Sequence, residues 1–144
     1  LSWGEGDTPV PVMREETPKR VHRILVVDDE TAILAAVERA LRPHRVDVVS
    51  NGADALERLL DPDDEGYDLV LCDLIMNGMS GIDVFHTLQK KAPELAERVV
   101  FMTGGGFTSD IRHFLADVDN SILHKPFDVK TLRWMVSQRL HEDA

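Results

Sequence analysis

From Val21 onward the apolar positions change period in a regular way. Short β-branched runs alternate with stretches in which apolar residues recur every three or four positions. The runs predict strands over His22–Val27, Val46–Ser50, Asp68–Cys72, Val99–Thr103 and Ser121–His124. The helical stretches predict five helices. Thr31–Leu41 carries Ile33, Leu34, Val37 and Leu41 on one stripe, and Ala53–Leu60 carries Leu56, Leu59 and Leu60. Ile82–Lys91 carries Ile82, Phe85 and Leu88, and Ser109–Val118 carries Ile111, Phe114, Leu115 and Val118. Asp128–Leu140 carries Val129, Leu132, Met135, Val136 and Leu140. Asn51, Ser109 and Asp128 stand where N-caps are expected, because each offers a side-chain oxygen to the first free N–H groups. Unbroken apolar runs such as Leu69-Val70-Leu71-Cys72 indicate strands buried on both faces, as in a parallel sheet covered by helices on two sides. Five βα units joined by right-handed crossovers make one doubly wound α/β domain, residues 21–144.

The alternation is missing before Val21. Pro9, Pro11 and Pro18 interrupt any helix there, and Gly4 and Gly6 loosen the start. Residues 1–20 are therefore expected to be a flexible linker or tail. A chain that starts with Leu rather than Met is expected to be a fragment or a processed product. Charge narrows the partners. Lys and Arg number 16 against 26 Asp and Glu, a formal charge of −10. Such a balance disfavours direct nucleic-acid binding, which needs a basic patch, and disfavours contact with anionic membranes. The apolar runs, such as Ile24-Leu25-Val26-Val27, are far shorter than the roughly 20 residues of a membrane span. Nothing near the start reads as a secretory signal. Cys72 is the single cysteine, so no internal disulfide framework exists, and the cytoplasm is the default compartment.

In an open parallel sheet, ligands bind outside the carboxyl ends of the strands at the switch point in strand order. The first strand leads into Asp28-Asp29-Glu30, the third into Asp73, the fourth ends at Thr103 and the fifth runs into Lys125-Pro126. Converging carboxylates repel one another, and a hard cation with oxygen ligands relieves that repulsion. Mg²⁺ suits such a set, with Lys125 as a point charge and Thr103 as a hydroxyl donor for a phosphate. The set reads as phosphoryl chemistry on a carboxylate, with Asp73 as nucleophile.

These residues resemble the receiver domains of bacterial two-component response regulators. The matching segments are ILVVDDE (Ile24–Glu30), DLVLCDLIMNGMSGIDV (Asp68–Val84), VVFMTG (Val99–Gly104) and LHKPF (Leu123–Phe127). The resemblance implies a (βα)5 flavodoxin-like fold with a five-stranded parallel sheet in the order 2-1-3-4-5. It implies Asp73 as phosphoacceptor, with Mg²⁺ held by Asp29, Asp28, Asp73 and the backbone carbonyl of Ile75. Thr103 and Lys125 would bind the phosphoryl oxygens, and the Lys125–Pro126 peptide is expected to be cis. The implied partners are a histidine kinase or phosphotransfer protein as donor and an unidentified protein downstream. Two contexts fit, a stand-alone receiver or the C-terminal receiver of a hybrid sensor histidine kinase. The non-Met start and the proline-rich lead-in favour the second.

Three positions depart from the family pattern. Asn77 stands where proline is usual, so the loop after Asp73 is expected to be less rigid. Ile122 stands where an aromatic switch residue is common. Gly104-Gly105-Gly106 follows Thr103 where alanine is usual first, which predicts a mobile loop. Signalling is then expected to work by loop and helix repositioning around Ser109–Val118. A small-molecule aspartyl phosphatase is the rival enzyme, but it wants a second acid two residues after the nucleophile, and Ile75 stands there. A phosphate-independent interaction module would not need the full set of acids, hydroxyl and lysine. Strand alternation points Cys72 away from the Asp73 face, as a small buried hydrophobe. The six histidines show no paired metal spacing. Asp61–Glu65 reads as a solvated loop. Trp134 lies off its helix's apolar stripe and is either partly packed core or an exposed docking residue.

Overall fold

The computed structural model describes residues 20–105 and 108–141. Of the expected linker, residues 1–20, all but Arg20 lie outside the described residues, as do Gly106, Phe107 and residues 142–144. Five strands form one sheet: β1 (Arg23–Val27), β2 (Arg45–Val49), β3 (Leu69–Asp73), β4 (Val99–Thr103) and β5 (Ile122–His124). All neighbouring pairs are parallel, and the order is β2-β1-β3-β4-β5. The helices are α1 (Thr31–Ala40), α2 (Gly52–Leu59), α3 (Gly81–Lys91), α4 (Pro93–Ala96), α5 (Ser109–Asp117) and α6 (Val129–His141). The doubly wound (βα)5 architecture agrees with the expectation from the hydrophobic pattern. The single turn α4, which opens on Pro93 at a first helical position, is the one helix that periodicity does not reveal.

Alternation along the strands builds two apolar layers. Leu25, Val27, Val70, Cys72, Val99 and Phe101 face one way and meet Ala55, Leu59, Val84, Phe85 and Leu88. Ile24, Val26, Leu69, Leu71, Val100 and Met102 face the other and meet Leu34, Val37, Leu132, Val136 and Leu140. Cys72 is fully buried in the first layer, and that burial pushes its thiol up to about 12, so it is inert as a nucleophile. Trp134 is 63% exposed, which resolves its two readings in favour of the surface. Among the described residues, no helix is long and apolar enough to cross a membrane.

The caps correct one expectation. Asn51 accepts from the Asp54 N–H at 2.8 Å, and Asp128 accepts from the Thr131 N–H at 2.7 Å, both as expected. Helix α5, however, is capped by Thr108, which takes the Ile111 N–H at 3.3 Å, and Ser109 is already inside the helix. Two adjacent hydroxyl residues present the same local signal, and the backbone enters the helix one residue later than Thr108. Ser80 and Asp83 add a reciprocal capping box at α3. The acidic stretch is solvated as expected at Asp61, Pro62, Asp63 and Glu65, and only Asp64 is half-buried. Asp64 ion-pairs with Arg23, whose guanidinium bonds Asp47 at 3.0 Å and lies 4.2 Å over the Tyr67 ring. This ties the loop back to β1.

Gly81 fixes how closely α3 approaches the end of β3. A Cβ there would sit 2.2 Å from the Asp73 carbonyl oxygen and 2.9 Å from Leu74 Cα, both backbone atoms that cannot swing aside. At Gly104 the nearest atom to an added Cβ is Lys125 Cβ at 4.0 Å. Gly81→Ala is expected to lose about 3 kcal/mol in urea unfolding, in the range of overpacking. Gly104→Ala should stay within about 0.5 kcal/mol of the parent, as surface changes usually do.

Candidate functional site

The site lies where the strand pattern places it, at the carboxyl ends of β1, β3, β4 and β5. The register pairs Val27 of β1 with Cys72 of β3, so the next residues on each, Asp28 and Asp73, emerge together. Every residue of β3 is buried, and Asp73 is its last. Asp28 is fully buried. One carboxylate oxygen from each of Asp28, Asp29 and Asp73 lies within 4.8 Å of the others.

Lys125 arrives from the far edge of the sheet. Its N–H donates to the Thr103 carbonyl at 2.7 Å, just after β5 ends, and its peptide bond to Pro126 is cis, as the resemblance implies. Its ammonium then donates to Asp28 Oδ2 at 2.7 Å, Asp73 Oδ2 at 3.2 Å and Glu30 Oε1 at 3.2 Å. Burial works to lower the Lys125 pKa, but the hydrogen bond to Asp28 and the charges of Asp73 and Asp28 outweigh it and hold the ammonium above its usual range. At Asp73 the balance runs the other way. Burial, then repulsion from Asp28, raises its carboxyl above the ordinary value despite Lys125.

Backbone donors trim the acids. The Glu30 N–H donates to Asp28 Oδ1 at 2.9 Å and the Ile75 N–H to Asp73 Oδ1 at 3.4 Å. The Asn77 N–H reaches Asp29 Oδ2 at 3.1 Å. Thr103 is 1% exposed, and its Oγ1 has no hydrogen-bond partner among the described residues. A buried hydroxyl without a partner is costly, and this one ends β4, next in the sheet to the strand that carries Asp73.

The structure thus brings together Asp28, Asp29, Asp73, Thr103 and Lys125, all named from the sequence. Ile75 is 52% exposed, and its hydrocarbon side chain offers no ligand atom, so only its backbone can serve the site. Ile122 is partly buried on β5. Two contacts were not foreseen. Glu30 shares Lys125 with the buried acids, and only its adjacency to Asp28-Asp29 hints at this. The Asn77 N–H contact has no motif of its own; its signal is the absence of proline. The all-oxygen donor set, two buried carboxylates among it, fits a small hard divalent cation better than a soft metal.

Comparison with known proteins agrees with this geometry. The family model "Response regulator receiver domain" matches residues 24–137. The sensor kinase CckA of Brucella abortus is 29% identical over 143 residues, covering 94% of this chain and 15% of that protein. The DNA-binding response regulator MtrA of Mycolicibacterium paratuberculosis is 34% identical over 125 residues, covering 84% of this chain and 52% of that protein. This chain therefore spans about half or less of the length of these relatives. A solved response regulator receiver domain from Clostridium thermocellum superposes with a TM-score of 0.73 at 24% identity, covering 85% of this chain and 97% of that one. With the fold, the strand-end acids and the family match in agreement, the chain belongs to the response regulator receiver domain family of two-component signalling.

Proposed function

We propose that Asp73 accepts a phosphoryl group from the phosphohistidine of a histidine kinase or phosphotransfer protein. The observation that carries this reading is the pairing of the Lys125 ammonium on Asp73 with the buried, partnerless hydroxyl of Thr103. Both are donors suited to phosphoryl oxygens. An Asp73 carboxylate oxygen attacks phosphorus, the P–N bond to the donor imidazole breaks with its electron pair, and an acyl phosphate remains. Water attack on phosphorus later restores the carboxylate and releases inorganic phosphate. The buried environment that raises the Asp73 pKa reflects a carboxylate poorly solvated by water, which favours it as a nucleophile over a hydrated one.

Asp28, Asp29, Asp73 and the Ile75 carbonyl would hold Mg²⁺. When bound, the ion screens both the crowded acids and the incoming anionic donor. Phosphorylation adds about −1.5 to −2 charges and new acceptor oxygens at the rim. Thr103 and Lys125 then shift toward those oxygens, and α5 repositions to present a changed surface to a downstream protein. The burial of α5 supports it as the moving element, because none of its residues is buried. We read residues 21–144 as the receiver and residues 1–20 as a linker, in a cytoplasmic setting, with no nucleic-acid or membrane contact by this domain. Similarity to a sensor kinase over nearly the whole chain supports a hybrid-kinase context over a stand-alone one.

Three measurements test this. Incubation with acetyl phosphate and Mg²⁺ should add one phosphoryl group by intact-mass spectrometry, and Asp73→Asn and a chelator should each abolish it. An adduct that persists in Asp73→Asn would refute Asp73 as the acceptor. Saturating Mg²⁺ should raise the melting temperature by mass action, since an ion that binds only the folded state stabilises it by about 2.7 kcal/mol at a hundred times its Kd. An unchanged melting curve would count against the metal site. Finally, Lys125→Met in chelator should lose about 3 kcal/mol in urea unfolding, because it strips the cation from two buried carboxylates. A loss below about 0.5 kcal/mol would show that Lys125 does not hold the acids together.

A further inference from the structure

Two of the three crowded acids share Lys125, and Asp29 does not. Its carboxylate instead accepts from the Asn77 N–H, 48 residues away, at 3.1 Å. Asn77 lies in the β3–α3 loop, which also carries Ile75. That loop is closed at its base by the Gly81 N–H donating to the Leu74 carbonyl at 3.0 Å. Its outer part therefore reaches across the rim and meets the β1–α1 segment at Asp29. The Asn77 residue is exposed, so the contact belongs to its backbone rather than to a packed side chain. Proline at position 77 would have no N–H to give. The bond exists because this chain has another residue there.

We infer that the backbone N–H of Asn77 is a positioning group that orients Asp29 for divalent-cation binding and sets the distance between the two loops. The inference rests on the Mg²⁺ site proposed above. With Oδ2 held, Asp29 loses rotational freedom before an ion arrives, and Oδ1 remains available. A hydrogen-bond donor on a ligating carboxylate fixes its orientation, and removal of such a partner typically weakens metal affinity by 10- to 100-fold. The same bond couples Asp29 to the Ile75 segment, so the two loops close as one unit.

The test is a titration of the full ¹⁵N-labelled chain with MgCl₂, followed by amide chemical shifts, for the parent, Asn77→Ala and Asn77→Pro. Alanine keeps the N–H, so its apparent Kd should lie within about two-fold of the parent. Proline removes the N–H, and its Kd should rise by about ten-fold. Equal affinity in parent and proline variant overturns the inference, and so does an alanine variant as weak as the proline one. A separate measurement does not depend on how the proline variant folds. In metal-free protein, Asp29→Ala should speed hydrogen exchange at the Asn77 amide by at least about five-fold, since the acceptor is gone. Unchanged exchange there also overturns the inference. Absence of any Mg²⁺-dependent shift in the parent overturns the metal reading and this inference together, whereas shifts with equal affinities overturn the inference alone.

Discussion

Asp28 and Asp73 present carboxylate oxygens within 4.8 Å of each other in a buried setting. At an effective dielectric constant near 20, two unit charges that close repel by about 3 kcal/mol, a large share of a small domain's net stability. The rest of the rim is arranged around that repulsion. Parallel pairing of β1 with β3 forces the two acids together, because both strands run out at the same level. Lys125 answers from two strands away. It can do so because β5 is only three residues long, so the chain leaves the sheet just as it passes the end of β4. The carbonyl of Thr103 then fixes the backbone of Lys125, and the ammonium reaches over the strand end to both acids.

Apolar packing makes this arrangement rigid. The strands that carry Asp73 and Thr103 are buried along their whole length, so their polar ends cannot drift outward without unpacking both layers. Gly81 has a related role. It lets α3 begin against the Asp73 carbonyl, which keeps the intervening loop short and folded over the site. The unpaired Thr103 hydroxyl is the remaining cost, and it sits at the end of a strand buried along its whole length. A polar group held without a partner in such surroundings is the kind of local rule that proteins break where they bind something.

Much of this was legible in the sequence, for identifiable reasons. The unbroken apolar runs at Leu69–Cys72 and Val99–Met102 specify buried parallel strands, and Asp73 and Thr103 follow those runs directly. Strand ends are therefore the part of the site that hydrophobic periodicity can locate. What it cannot locate are contacts made by backbone groups or across long separations. The cap at Thr108 rather than Ser109 depends on where the backbone turns. The tie between Arg23 and Asp64 joins residues 41 apart and has no motif. The Asn77 N–H is invisible to any reading of side chains, since its donor is common to every residue except proline. Glu30 simply follows Asp28-Asp29 in the sequence, and its contact with Lys125 follows only from the position of β5.

The output side of the domain differs from the family pattern in a physically connected way. With Ile122 on β5, the aromatic contact between sheet and α5 runs through Phe114. Its ring meets Phe101 at 5.2 Å, Phe85 at 5.5 Å and His86 at 5.7 Å, all in edge-to-face geometry. Phe101 and Thr103 alternate onto the same face of β4, two residues apart. The ring that seats α5 thus rests on the strand, and on the face, that carries the partnerless hydroxyl. Adjacency of this kind is not coupling in itself, since coupling requires an element with two arrangements of similar energy. Among the described helices, α5 is the one with no buried residue. Ile111, Phe114, Leu115 and Val118 pack only partly against the core, so shifting the helix exposes little apolar surface. The charge-assisted hydrogen bonds that a phosphoryl group would form with Thr103 and Lys125 are each worth more than that small loss. On the proposed switch, an aromatic residue on α5 rather than on the edge strand would carry the change.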